Sequence, residues 1–228
     1  MKQGKEQPKY NYILKSLVGS RAHNLHNDDS DHDFRGVFLM PTKELLKLNA
    51  PKINTNWSED KTEDNTSWEL GHFLFLATKC NPTILEVFLA PKELTTDIGD
   101  SLVKQFSRVW NSRDVMNAFI GYGFNQRKKF LEKKDNRPHK YATAYLRTLI
   151  QAFELLTYGT FTIDFSHHEE YNILIAWKNG QYTMGEVIDK TWIWEDKVRK
   201  AYEHNPDKKT DIEQINSWLL KVRRSHWD

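Results

Sequence analysis

The most constraining feature of this sequence is a polar segment held between two short apolar runs. Gly19-Ser20 directly follows the run from Tyr12 to Val18, and Asp31-His32-Asp33 leads into the run from Val37 to Met40. Runs of this length are typical of strands, and a proline stops the second one at position 41. We therefore predict strands over 10–18 and 31–40, with a helical turn over 20–25. Two strands would then hold one polar site.

The spacing of Asp31 and Asp33 indicates metal binding. Side chains two apart on a strand leave the same face, so these carboxylates would lie close enough to share cations. Mg²⁺ or Mn²⁺ accepts carboxylate oxygens and commonly completes its coordination with phosphate and water, which indicates a nucleotide substrate. Gly19 would let the backbone approach a phosphate, and Ser20 can donate to phosphate oxygens. Arg35 is two residues beyond Asp33 and would face the same side.

Two other interpretations of the acidic segment need weighing. Asp29-x-Asp31-x-Asp33 begins like a calcium-binding EF-hand loop, but Phe34 stands where that loop needs glycine and Met40 where it needs glutamate. We therefore exclude calcium. The other interpretation is a solvated acidic turn, because Asp and Ser are common turn residues. The apolar flanks and the upstream Gly-Ser favour the metal site.

The same residues resemble a known family. Gly19-Ser20 followed by Asp31-x-Asp33 resembles the hG[GS]…DxD signature of the DNA polymerase β-type nucleotidyltransferases. The longer string G-S-R-A-H-N-L…D-S-D-H-D-F-R-G-V resembles the branch that includes RNA-repair-associated proteins of bacteria and phages. Two later segments agree in order, E-L-G-H-F-L-F-L-A-T-K-C-N-P-T-I-L-E-V-F and K-Y-A-T-A-Y-L-R-T-L-I-Q-A-F-E-L-L-T-Y-G. The resemblance covers about residues 11 to 165.

This resemblance implies a chemistry and a set of metal ligands. Such enzymes move a nucleoside monophosphate from a nucleoside triphosphate to an acceptor hydroxyl, with two Mg²⁺ or Mn²⁺ ions held by three carboxylates. Asp31 and Asp33 match the first two carboxylates. We assign the third to Asp64, with Glu69 as the alternative, from their places before the following helix. Nothing in the sequence selects among ATP, CTP, GTP and UTP.

The resemblance also implies which residues bind the nucleotide. Lys140 and Arg147 match basic positions in a later helix of the family, where they would neutralise phosphates; the alternative is a pair of bases on a solvated helix face. The full set of expected nucleotide contacts is Gly19, Ser20, Arg21, Arg35, Lys140 and Arg147. Glu86 also matches a family position, for which we predict no role beyond a structural one.

The distribution of charge along the sequence bears on the nature of the acceptor. The net charge is only +2, which neither requires nor excludes a nucleic acid, but one stretch is strongly basic. It contains Arg127, Lys128, Lys129, Lys133, Lys134 and Arg137. Three hypotheses follow: transfer to nucleic acid such as an RNA 3′ end, with this stretch on the backbone; transfer to a protein or small-molecule hydroxyl; or a non-catalytic nucleotide-binding module. The intact pair Asp31 and Asp33 disfavours the last.

Composition excludes several other classes. No apolar run approaches the roughly 20 residues that span a bilayer, and residues 1–9 lack the apolar region of a secretion signal. Cys80 is the only cysteine, so no intrachain disulfide can form; a packed thiol in a reducing cytoplasm is expected. His167-His168 lacks the i, i+4 pairing of a helical zinc site and is assigned to a helix start. Oligomeric state has no signature here.

Periodicity divides the chain into two parts. Up to about residue 91 strands and helices mix. We predict a helix over 42–48 capped by Thr42, with Leu45, Leu46 and Leu48 packed inward. Strands over 52–57 and 64–68 are predicted to form a hairpin through the charged link 58–63, and helices follow over 69–81 and 83–89. We predict a boundary over 91–99. Beyond it nearly all segments are helical, including one over 102–110 and one that has Pro138 in its first turn and is ended by Gly159. We therefore predict an α+β protein, with a small mixed-sheet nucleotidyltransferase core over 1–95 and a mostly helical domain over 96–228 that binds nucleotide and acceptor.

Overall fold

The computed structural model describes residues 10–28, 30–57 and 65–228, and the chain forms a mixed sheet surrounded by helices within these ranges. The tail 1–9 and the charged link 58–63 lie outside the described residues. The predicted α+β class is confirmed. The five strands are β1 (Tyr12–Val18), β2 (Asp33–Phe38), β3 (Asn54–Trp57), β4 (Asn65–Glu69) and β5 (Lys92–Thr95).

The sheet brings the two predicted site strands together. Its order is β3-β4-β2-β1-β5, with β2 and β4 parallel and every other neighbouring pair antiparallel. Val18 pairs with Asp33, so the end of β1 lies beside the start of β2. The prediction that the second strand begins at Asp31 is wrong. The chain turns away from the sheet at Gly19, so no residue of β1 remains to pair with Asp31, and strand alternation does not govern where its side chain points.

The pair of β1 and β2 is flanked by β5 on one side and by β4, followed by β3, on the other. β3 and β4 are antiparallel, as the predicted hairpin requires. The edge strand β5 lies inside the stretch 91–99 that we predicted as a boundary. It has only four residues, and its burial pattern shows no buried position. Charged, short strands are common at sheet edges, where one side faces water, and they lack the alternating pattern on which the prediction relied.

Four helices accompany the sheet: α1 (Gly19–Ala22), α2 (Thr42–Leu45), α3 (Leu70–Thr78) and α4 (Pro82–Leu89). The details predicted for α2 are wrong. Leu46 and Leu48 are exposed, because the helix ends at Leu45 after a single turn. Thr42 does not cap it, since Pro41 occupies the N-cap position and the Thr42 hydroxyl donates to the carbonyl oxygen of Arg223 at 2.7 Å.

The rest of the described chain is mostly helical, with an irregular stretch over 160–170. Its helices are α5 (Asp97–Val103), α6 (Phe106–Val109), α7 (Ser112–Leu131), α8 (Pro138–Tyr158), α9 (Tyr171–Lys178), α10 (Met184–His204) and α11 (Ile212–Ser225). The single helix expected over 102–110 is therefore two short ones. Pro138 begins α8, and Gly159 ends it with φ of 70°, both as predicted.

The core runs through both predicted domains. Buried apolar side chains from the sheet, α3, α4 and the later helices form one cluster. Phe88 contacts Phe106 with ring centroids 5.8 Å apart, and Phe106 contacts Phe161 at 6.2 Å. The division near residue 95 stays a prediction. Cys80 is buried as expected, and burial raises the pKa of its thiol to about 12. In the described ranges we find no helix with the length and apolarity to cross a bilayer.

Candidate active site

The site is built on a sharp corner where β1 enters α1. Gly19 has φ of +73°, a conformation that glycine adopts without the steric cost of a Cβ. A Cβ at this position would lie 2.9 Å from Oδ2 of Asp33. Glycine is therefore required here twice, by the backbone conformation and by the carboxylate packed against it. Asp33 therefore lies next to the Gly19-Ser20 corner, as the sequence predicted for this aspartate.

Glu86, on α4, fastens this corner to the helices. Its Oε1 accepts a hydrogen bond from the Gly19 N–H at 2.9 Å and lies 3.1 Å from Nε2 of His23. Its Oε2 lies 3.9 Å from Nη1 of Arg147 on α8. Nδ1 of the same imidazole donates to the carbonyl oxygen of Ile163 at 2.8 Å, since that oxygen can only accept.

The charge on Glu86 follows from these contacts. Burial by itself raises the pKa of this carboxyl, but the His23 imidazole, Arg147 and the Gly19 N–H together outweigh burial and lower the pKa to about 2. The sequence predicted only a structural role for Glu86 and did not indicate its contacts. In the structure the buried Glu86 carboxylate accepts a hydrogen bond from the Gly19 N–H and holds that backbone in place.

A cavity of about 840 Å³ opens beside the corner. Seven of the predicted site residues line this cavity. The predicted residues that line it are Gly19, Ser20, Asp31, Asp33, Arg35, Lys140 and Arg147. Arg21 does not: its Nε donates to the carbonyl oxygen of Ser30 at 2.9 Å, which fixes the loop that precedes Asp31.

Of the two candidates for the third carboxylate, the structure describes only Glu69. Asp64 lies outside the described residues. Glu69 lies at the far end of β4, where it accepts from the Gly71 N–H at 2.7 Å and forms a buried ion pair with Arg223 at 2.7 Å. It does not line the cavity. No group of three His, Cys, Asp or Glu residues suited to a metal ion is found among the residues that the structure describes.

The helical wall of the cavity is basic. Besides Lys140 and Arg147, its cations are Lys129 from α7, Arg137 immediately before α8, and Lys178 at the end of α9. Sequence reasoning missed Lys178 altogether, because it lies far along the chain in a different helix and no local pattern connects it to the site. It also missed His139, Tyr122 and Gln126, which line the same cavity.

The predicted basic stretch is divided by the fold. Lys129 and Arg137 line the cavity, whereas Lys133 and Lys134 are exposed outside it. Lys128 is exposed as well and lies 3.9 Å from Glu132 on the surface of α7. The stretch therefore extends from the cavity onto the protein surface.

Electrostatic coupling connects the cations of this wall. Burial lowers the pKa of Lys178, and Lys140 and Arg137 lower it further while Asp31 opposes them. Burial likewise lowers the pKa of His139, together with Lys178, Arg137 and Lys140. Each group loses affinity for its proton mainly because burial disfavours the charged form, and the like charges nearby add to this. These side chains thus form one positively charged surface facing the cavity.

Comparisons with known proteins identify the family of this chain. The model of the family described as RlaP, RNA repair pathway DNA polymerase beta family, matches residues 1–221. An uncharacterized 38.9 kDa protein in the nrdC-mobD intergenic region of Enterobacteria phage T4 is 28% identical over 130 residues, which cover 52% of this chain. This chain spans only 38% of the length of that phage relative.

One solved structure bears a weaker likeness. A nucleotidyltransferase-like protein from Exiguobacterium sibiricum 255-15 aligns with 96% of this chain and 75% of its own, at 9% identity and a TM-score of 0.31. That likeness is too low to carry an argument. The family match covers residues 1–221, nearly the whole sequence, so the chain belongs to the RNA repair pathway DNA polymerase beta family.

Proposed function

We propose that this protein is a metal-dependent nucleotidyltransferase that moves a nucleoside monophosphate from a nucleoside triphosphate to an acceptor hydroxyl. One observation carries the proposal: the Asp33 carboxylate packs against the Gly19 corner at a cavity whose other wall is cationic. Carboxylates that hold cations and bases that hold phosphates are the two requirements of phosphoryl-group chemistry. Membership of the family supports the same activity.

The donor atoms on the strand side suit a hard divalent cation. Asp31 and Asp33 offer carboxylate oxygens to the same cavity, and Mg²⁺ and Mn²⁺ prefer such ligands. Asp64 is our choice for the third. The amide oxygen of Asn65 accepts from the Phe34 N–H at 2.8 Å, so the described start of β4 lies beside the start of β2, and Asp64 directly precedes Asn65 in sequence.

The chain's own residues would bind and orient the substrates. The Gly19 backbone and the Ser20 hydroxyl would contact phosphate oxygens, while Arg35, Lys140 and Arg147 would neutralise their charge. In this orientation the acceptor hydroxyl gives its proton to solvent and its oxygen bonds to the α-phosphorus, while the bond from that phosphorus to the bridging oxygen breaks and pyrophosphate leaves. When bound, the cation would lower the pKa of the acceptor hydroxyl and screen the triphosphate.

The test is transfer of an α-labelled nucleotide. Purified protein with Mg²⁺ or Mn²⁺ and a mixture of the four α-labelled triphosphates should label an acceptor, and Asp31→Ala with Asp33→Ala should abolish the label. Asp28→Ala is the matched control, because Asp28 is an exposed carboxylate of the same loop that does not line the cavity. Equal labelling by the double variant would show that the two carboxylates are not catalytic.

We further propose that the acceptor is a nucleic acid, such as an RNA 3′ end. The proposal is supported by the basic surface that continues from Lys129 and Arg137 in the cavity to Lys133 and Lys134 outside it. Contacts with phosphates release counterions, so RNA affinity should fall steeply as salt rises. A screen of total RNA against total protein as acceptors tests the choice directly; label on protein alone would refute it.

The surface part of this proposal has its own control. Lys133→Gln with Lys134→Gln should weaken RNA binding and reduce its dependence on salt, because two phosphate contacts are lost. Lys200→Gln with Lys221→Gln removes two exposed lysines from other helices and should leave binding unchanged. RNA affinity that stays flat between low and moderate salt would contradict a surface that binds the phosphate backbone.

A further inference from the structure

We propose that Arg137, His139, Lys140 and Lys178 together form a phosphate-binding subsite on the helical wall of the cavity. The inference rests on the proposed function, which it deepens by assigning this wall a ligand of its own. The phosphate would come from the triphosphate of the nucleotide or from the acceptor strand. None of the four side chains belongs to the Gly19 corner.

The fold brings these four residues together from two helices. Arg137 immediately precedes α8, His139 and Lys140 lie in its first turn, and Lys178 is the last residue of α9. The two helices pack against each other. All four residues line the same cavity of about 840 Å³, so one ligand can reach them all.

Their charge is not neutralised by the protein. Within the part of the chain that the structure describes, no ion pair within 4.0 Å joins any of the four to a carboxylate. The first turn of α8 contains no acidic residue. Arg147, on the same helix, differs because Glu86 lies 3.9 Å from it. Arg137, Lys140 and Lys178 therefore constitute positive charge available to an anion, and the His139 imidazole adds an N–H donor beside them.

Without a bound anion, burial and like charges destabilise the charged forms of these side chains. Burial, and after it repulsion from the neighbouring cations, lowers the pKa values of Lys178 and His139. A bound polyanion converts that repulsion into attraction, since every member then gains an opposite charge. Asp31 is the one acidic group among the groups that shift the pKa of Lys178, and in the proposed function a metal ion engages its carboxylate.

The chemistry of the four groups selects phosphate among anions. A guanidinium presents a planar fork of donors, an ammonium a compact charge and an imidazole a directed N–H, and together they match an anion with several oxygens pointing in different directions. The cavity volume lies within the roughly 300–1,000 Å³ of small-ligand sites. A phosphate-bearing substrate therefore suits this cavity better than the surface of a folded protein.

The experiment measures binding, with no transfer required. The full chain is titrated calorimetrically with inorganic tripolyphosphate in the presence of EDTA, and in a second arm with a short single-stranded oligoribonucleotide. Lys178→Met should weaken the affinity for at least one ligand about tenfold, as expected for the loss of one charge-assisted hydrogen bond. Lys178→Arg should retain most of it. Lys104→Met, an exposed lysine outside the cavity, is the matched control.

Each outcome has one meaning. Weakening confined to tripolyphosphate assigns the subsite to the nucleotide, and weakening confined to the oligoribonucleotide assigns it to the acceptor. Wild-type affinity of Lys178→Met and of Arg137→Gln for both ligands would overturn the inference, as would the absence of binding by the wild-type chain. A melting curve checks that each variant is folded. Phosphate binding without any nucleotide transfer would count against the proposed function alone.

Discussion

Glu86→Gln is the most informative single substitution, because the buried carboxylate holds both the Gly19 backbone and two basic side chains. Glutamine keeps an oxygen for the Gly19 N–H but removes the negative charge that faces His23 and Arg147. Removing one partner of a buried ion pair costs about 3–5 kcal/mol. Arg147 retains a hydrogen bond to Gln151 at 3.1 Å, so we expect the lower end, about 3 kcal/mol.

The cost should depend on pH in a defined direction. The pKa of Glu86 is lowered from 4.5 to about 2 in the folded state, so its stabilising contribution is complete above about pH 4.5. It is lost as the pH falls from there toward 2, because the unfolded state then binds a proton that the folded state does not. The difference in stability between wild type and Glu86→Gln should therefore be constant near neutrality and shrink below pH 4.5.

The assay is urea denaturation at several pH values between 7 and 3, followed by circular dichroism. At pH 7 a loss of about 3 kcal/mol corresponds to a decrease in melting temperature of roughly 6–12 °C for a domain of this size. Glu169→Gln, an exposed glutamate, should change stability by less than about 0.5 kcal/mol. A stability difference that is as large at pH 3 as at pH 7 would refute the reasoning, and so would a difference no larger than that of the control.

Two other substitutions test the frame of the site. Gly19→Ala should destabilise the protein by about 1–2 kcal/mol because of the positive φ, and by more because the new Cβ would lie 2.9 Å from a carboxylate oxygen. Gly180→Ala, with φ of +77° and open space around it, should show only the first cost in denaturant titrations, and equal losses in the two variants would contradict the contact. Arg223→Met should lower the free energy of unfolding by about 3 kcal/mol, because Glu69 is left buried without its partner. Arg224→Met, at an exposed arginine, should be neutral by calorimetric melting, and two neutral variants would show that the ion pair between Arg223 and Glu69 is not stabilising.

The strand and helix assignments show how far local pattern reaches. The Gly-Ser turn, the apolar runs around it and the long striped helices follow from periodicity and from glycine and proline, which act within a few residues. The same rules failed for β5 and for α2. A charged edge strand and a single helical turn are stabilised by neighbours rather than by their own sequence, as the hydrogen bond from Thr42 to the Arg223 carbonyl illustrates.

The sequence alone determined the family and the α+β class. It also located the polar corner, because a positive-φ glycine beside an aspartate leaves a recognisable spacing of residue types. Only the tertiary structure decided that Glu86 anchors this corner and that Lys178 completes the basic wall. Both are distant from Gly19 along the chain, and their contacts depend on how helices pack over the sheet. Burial and charge coupling between such residues are properties of that packing, which no spacing of residue types records.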